Sequence, residues 1–118
     1  MARPRSHRPG LLASLLLAAL LAGCGGGSDG ANDAASGDSA GKTLFTQTAQ
    51  PSCASCHALA DAGAAGTVGP NLDEAKPSKE KVLSALRQGP GAMPTYTDKL
   101  EQSELDALAD YVSSAASG

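Results

Sequence analysis

The sequence predicts a small all-α domain in which about three helices and long loops wrap around a bound group. Helical periodicity recurs in three stretches, and no run of alternating β-branched or aromatic residues marks a strand. Bulky apolar residues are scarce: Phe45, Tyr96 and Tyr111 are the only aromatics, and much of the 42% hydrophobic content is alanine. The segments Ala58–Pro77 and Gly89–Leu100 read as loops rich in Gly, Pro and Thr, longer than a compact domain usually keeps without a purpose. A chain of 118 residues with so little side-chain volume needs a disulfide framework, a metal or a cofactor to complete its core.

The first helix is expected over about Ser39–Thr48, capped by Asp38 or Ser39, contributing Leu44 and Phe45 to the core and ending before Pro51. The second runs from about Lys79 to Gln88, with Ser78 as N-cap, Val82, Leu83 and Leu86 on one face, and Gly89-Pro90-Gly91 as the stop. The third runs from about Gln102 to Ala115. Leu105, Leu108, Ala109, Val112 and Ala116 recur there at helical spacing, and Ser103 with Asp106 is the expected capping box.

The N-terminus reads as a targeting segment. Arg3, Arg5 and Arg8 precede an apolar run from Leu11 to Ala22, too short for a membrane span of about 20 residues. The run ends in Leu21-Ala22-Gly23-Cys24, which resembles the lipobox of bacterial lipoproteins. That resemblance implies cleavage before Cys24 and acylation of its thiol. The expected organisation is a signal peptide over 1–23, a lipidated N-terminus and flexible linker of Gly, Ser, Ala, Asn and Asp over 24–38, and one folded domain over 39–118. Loss of the three arginines leaves 6 basic against 12 acidic residues, a balance that excludes nucleic acid as a partner.

Cys53-Ala54-Ser55-Cys56-His57 carries the chemistry. The spacing Cys-x-x-Cys-His lets both thiols capture the two vinyl groups of one haem while the adjacent imidazole meets the iron. A thioredoxin-like pair needs a βαβ context that the pattern lacks. A zinc site needs further Cys or His ligands, and beyond the leader only Cys24 and His57 remain to supply them. A plain Cys53–Cys56 disulfide stays open as an alternative. Met93, in the turn Gly91-Ala92-Met93-Pro94, reads as the second axial ligand, because it lies between helices downstream of the motif. Pro70 offers a carbonyl to the other ring nitrogen of His57, and Leu72 an apolar face to the haem.

Gly41-Lys42-x-Leu44-Phe45, the Cys53–His57 motif, Gly69-Pro70-Asn71-Leu72, Met93-Pro94 and Leu108-x-x-Tyr111-Val112 together resemble class I monohaem cytochromes c, over about Ser39–Ala116. The resemblance implies a cytochrome c fold with one covalent haem c, thioethers at Cys53 and Cys56, axial His57 and Met93, and a crossing of the first and last helices at Gly41, Phe45 and Tyr111. Two departures stand out. Seven residues separate Phe45 from Cys53, so an insertion around Thr48–Pro51 is expected to bulge out. No Trp is present to bind a haem propionate, and Tyr96 is the substitute. Leu44, Leu59, Val68, Leu72, Leu83, Leu86 and Leu100 are expected to pack on the haem.

The function expected is a single-electron carrier, not an enzyme. It would be monomeric, serve redox partner proteins in a respiratory or photosynthetic chain or a partner oxidoreductase, and be tethered to an envelope membrane through Cys24. The alternative is a subunit of a haem enzyme with a labile axial site, peroxidase-like or nitrite-handling; a haem-free lipoprotein is the third class. Charge is expected to be balanced around the haem edge, with the acidic excess on the last helix at Glu101, Glu104, Asp106 and Asp110. The anchor is testable: Cys24→Ala is expected to abolish labelling by a fatty-acid analogue while leaving the haem spectrum unchanged. A wild-type chain whose mature end is not Cys24 rejects it.

Overall fold

The computed structural model describes residues 37–118. The expectations for the leader, for Cys24 and for the linker up to residue 36 therefore lie outside the described residues. The first helix, α1, is already regular over 37–43, so Asp38 and Ser39 sit within it and do not cap it. It then widens into a π-helical turn over Leu44–Thr48, closed by the Ala49 N–H donating to the Leu44 carbonyl at 3.0 Å, five residues back. This turn takes up part of the surplus before Cys53. The expected outward bulge at 48–51 is narrowed: Thr48 belongs to the helix and Ala49 is buried with 1% exposure, while Gln50 and Pro51 are exposed. Carbonyls left at the helix end find a partner in Ser52, whose Oγ lies 3.1 Å from both the Phe45 and Thr46 oxygens.

A short 3₁₀ turn, Cys53–Ser55, follows, and the chain then makes two minimal strands. β1 (Ala58–Leu59) pairs antiparallel with β2 (Ala64–Ala65), in the register Ala58 to Ala65 and Leu59 to Ala64. The expectation of no strand was wrong here, because a two-residue ladder leaves no alternation to read. The 58–77 segment also holds α2 (Leu72–Ala75), which the sequence reading missed. Its cap is Asn71, whose Oδ1 accepts from the N–H groups of Asp73 at 3.0 Å and Glu74 at 3.4 Å. Asp73 then accepts from the Ala60 N–H at 2.8 Å and ties α2 to the hairpin.

α3 (Lys79–Gln88) has the boundaries expected: the Ser78 hydroxyl accepts from the Lys81 N–H, and Gly89 at φ 58° ends the helix in the left-handed region. α4 (Gln102–Ser117) runs somewhat beyond the expected end. Its capping box is formed by Glu101 and Glu104, not Ser103 and Asp106; the Glu104 carboxylate accepts from the Glu101 N–H at 2.8 Å. The residue in extended backbone just before the helix is Glu101, whereas Ser103 already lies within it.

α4 buries Leu105, Leu108, Ala109, Tyr111, Val112 and Ala116. It crosses α1 at Gly41, where any Cβ would collide with the Tyr111 Cβ and the Ala107 carbonyl. One turn on, Phe45 meets Tyr111 edge to face, with ring centroids 6.1 Å apart and planes at 65°. The Tyr111 hydroxyl donates to Asp61 at 2.6 Å, and the Lys42 ammonium lies 3.5 Å from the same carboxylate oxygen. One carboxylate thus joins α1, α4 and the hairpin turn.

The Tyr111 hydroxyl, and after it the Lys42 charge, hold the Asp61 carboxyl below its ordinary value of 3.8. A depressed folded-state pKa adds stability above the unfolded value, and that stability is lost as pH falls through the folded value. Wild-type melting temperature is therefore expected to drop more steeply below about pH 4 than that of Asp61→Asn. Parallel acid branches in a thermal melt series reject this linkage.

Candidate functional site

A cavity of about 410 Å³ opens between the Cys53–His57 turn, the 68–77 segment, α3, the 90–96 segment and α4. Its wall is built almost entirely of apolar side chains. α3 contributes Val82, Ala85 and Leu86, spaced three and four residues apart on one face. α4 contributes Leu108 and Val112, and α1 contributes Phe45. Cys53, Cys56, His57, Pro70, Leu72, Met93 and Tyr96, every haem-site residue the sequence singled out, lie on this one wall. Of the residues expected to pack on a haem, Val68, Leu72 and Leu86 line the cavity. Leu44, Leu59 and Leu100 are buried in the core beside it, and Leu83 packs against that core. The sequence reading missed Phe45, Leu108 and Val112 as liners, because helical spacing marks a buried face without saying what that face meets.

Cys53 and Cys56 are free thiols, one buried and one half-buried. Burial pushes the Cys53 thiol up from 9.0 to about 11. That is the opposite of the depressed value that marks an activated Cys-x-x-Cys thiol. The turn that presents them is tight: the Cys56 and His57 N–H groups both donate to the Cys53 carbonyl, at 3.1 and 2.9 Å.

His57 is fixed from two sides. Its Nδ1 lies 2.8 Å from the Pro70 carbonyl oxygen, so the ring donates there and Nε2 is left as the nitrogen with a free lone pair. Gly69 passes directly over the ring. A Cβ at that position would stand 2.5 Å from His57 Cε1 and 2.8 Å from Nδ1. The Gly69 N–H donates to the Cys56 carbonyl at 2.7 Å, drawing the returning chain onto the motif. Gly66 meets the same crowding, with a Cβ placed 2.6 Å from the His57 nitrogen.

Met93 sits in a turn whose N–H donates to the Pro90 carbonyl at 3.1 Å. Three residues on, Tyr96 is buried with 2% exposure, and its hydroxyl donates to the Pro51 carbonyl at 2.6 Å. Tyr96, expected to replace a propionate-binding Trp, gives its hydroxyl proton to Pro51 in this structure. Burial pushes the phenol up to about 12, so it stays a donor throughout the physiological range.

Lys79 pairs with Asp110 at 2.8 Å, joining the start of α3 to α4. Lys81 lines the cavity, bringing one positive charge to an apolar wall. Among the described residues, no helix is long and apolar enough to cross a membrane.

An unpaired thiol couple next to an anchored imidazole, a thioether side chain in the same wall and an apolar space between them fit a covalently attached haem. Known proteins agree. A family model described as cytochrome c oxidase, cbb3-type, subunit III, matches residues 36–112. Cytochrome c6 of Tetradesmus obliquus is 33% identical over 90 residues, 68% of this chain and 97% of that one. Cytochrome c6 of Bryopsis maxima is 35% identical over 71 residues, 52% of this chain and 76% of that one. The crystal structure of the c-type cytochrome SorU from Sinorhizobium meliloti superposes with a TM-score of 0.67 at 45% identity, covering 70% of this chain and 93% of that one. Fold, cavity and matches converge: the chain belongs to the cytochrome c family, whose proteins carry a covalently bound c-type haem and carry electrons.

Proposed function

We propose that this domain is a single-electron carrier whose one haem is joined by thioethers to Cys53 and Cys56 and ligated by His57 and Met93. The observation that carries the reading is the hydrogen bond of His57 to the Pro70 carbonyl, which fixes the imidazole tautomer on the cavity wall that also holds Met93. When bound, the haem supplies a one-electron iron couple; the protein supplies its ligands and surroundings.

The chain's own residues divide that work. Cys53 and Cys56, presented on one 3₁₀ turn, hold the group by two bonds and leave little freedom of tilt. His57, donating to Pro70, keeps its orientation and gains basicity. Met93 would supply the second ligand to the iron, a softer donor that would favour the reduced state more than a second imidazole. Val82, Leu86, Leu108 and Val112 exclude water and disfavour added charge at the iron, which favours the reduced state further. With His57 and Met93 both serving as ligands, the iron would keep no open site for oxygen or peroxide.

The same reading places the domain outside the cytoplasm, tethered through a lipid on Cys24 by the linker over 24–38, following the signal peptide over 1–23, with the folded domain over 39–118. It acts as a monomer with protein redox partners. It serves a respiratory or photosynthetic chain, or accepts electrons within an oxidoreductase complex.

Ligation is tested by Met93→Ala. The variant is expected to have a lower reduction potential and to bind carbon monoxide when reduced, whereas the wild type does neither. A variant with the wild-type spectrum and potential makes Met93 a packing residue. Gly69→Ala tests the other side. The methyl group is expected to push the His57 ring off Pro70 and lower the yield of holoprotein several-fold, and an unchanged yield with an unchanged potential rejects that account.

A further inference from the structure

Tyr96 stands out because all of its polar groups are engaged, and each reaches a different part of the molecule. Its N–H donates to the Leu86 carbonyl at 2.9 Å, near the end of α3. Its carbonyl accepts from the N–H groups of Lys99 and Leu100, at 3.1 and 3.0 Å, and so closes the turn after it. Its hydroxyl crosses 45 residues of sequence to donate to Pro51, two residues before Cys53. The ring itself is 2% exposed and lines the cavity, and the Lys99 ammonium lies 5.4 Å from its centroid.

Pro51 is in turn held in place. Ser52, next to it, is fastened through its hydroxyl to the Phe45 and Thr46 carbonyls at the end of α1. Gly89, with φ 58°, has its Cβ position only 2.7 Å from the Met93 carbonyl and 3.0 Å from Pro94, so the Met93 segment is folded back tightly on the end of α3. Between Gly89 and Leu100 there is no regular secondary structure to hold Met93 in place. The Tyr96 hydroxyl supplies a direct link from this segment to the chain that enters the Cys53 turn.

The geometry points to Tyr96 as a positioning residue: its hydroxyl clamps the Met93 segment to the Pro51–Ser52 segment and so holds the Met93 sulfur on the iron. A hydroxyl bonded to a backbone carbonyl at 2.6 Å from a buried ring resists outward swing of the segment, and loss of that bond removes the link between the two segments. The inference rests on the proposed His57/Met93 ligation and adds a residue that acts through the Met93 segment.

The test uses the ferric holoprotein and the rate at which cyanide displaces the sixth ligand, a process that requires the Met93 segment to open. Tyr96→Phe keeps the ring and removes the hydroxyl. It is expected to speed displacement about tenfold, equivalent to about 1.4 kcal/mol, and to weaken the charge-transfer absorption of the sulfur–iron bond. Tyr111→Phe is the control: it removes the other buried tyrosine hydrogen bond, that to Asp61, and is expected to lower melting temperature while leaving the cyanide rate within about twofold, below the tenfold that one such bond supports. Equal effects of the two variants on the cyanide rate, or no effect of Tyr96→Phe, overturn the clamp. If Tyr96→Phe fails to hold haem, the wild type decides: a Tyr96 hydroxyl proton that exchanges slowly in the reduced protein supports the clamp, and one that exchanges as fast as a surface tyrosine overturns it. A wild-type protein without the sulfur–iron absorption removes the ligation reading, and the clamp with it; a wild type that has it, with a silent Tyr96→Phe, removes the clamp alone.

Discussion

The bond between His57 and the Pro70 carbonyl sets the terms for much of the middle of the chain. For a ring at position 57 to meet a carbonyl at position 70, the intervening residues must leave and return within a very short distance. The β1–β2 hairpin does this with two pairs of residues and a 3₁₀ turn. The return has to be close, and Gly66 and Gly69 make it so by giving up the side chains that would strike Cys56 and His57. α2 then starts at once, capped by Asn71, and Asp73 fastens it back to the hairpin at Ala60. Four local features thus serve one imidazole.

The second constraint is volume. The largest fully buried side chains are Phe45, Leu59, Leu86 and Leu108, a short list for a domain that must hold three longer helices together. α3 and α4 do meet, but Val82, Ala85, Leu86, Leu108 and Val112 also give part of their apolar surface to a cavity of about 410 Å³. A flat apolar group in that cavity would give these side chains dispersion contacts on their free side. A bound haem would therefore add to the core as well as to the site.

The parts of the structure legible in the sequence are those where one local cause acts alone. α3 needed only Ser78 at its start and Gly89 at its end, and both bounds are where those residues put them. The buried stripe of α4 followed from spacing, because Leu105, Leu108, Ala109, Val112 and Ala116 share one face in any helix. The Cys53–His57 motif and Met93 were legible because chemistry limits which residue types can serve. The misses have the opposite character. α2 is a single turn, and its signal, an Asn followed by two acidic residues, is common in loops. The hairpin is too short for any period. The capping box was placed at Ser103 and Asp106, two residues too far along, because a Ser is the commoner cap and the exact start of α4 is not marked by spacing. The partner of Tyr96 is 45 residues away, and nothing local announces it.

The π-helical turn at Leu44–Thr48 bears on how such a chain changes over time. A helix that widens from a four-residue to a five-residue bond, as at Leu44 and Ala49, admits one more residue without altering the face it presents before the turn. Gly41 keeps its contact with α4, and Phe45 keeps its contact with Tyr111. Past the turn, Ser52 collects the released carbonyls and delivers the chain to Cys53. The stretch acts as a length buffer, in which insertions and deletions are absorbed between two fixed points. Chain length there can drift under selection that sees only where the helix contact ends and where the first thiol begins.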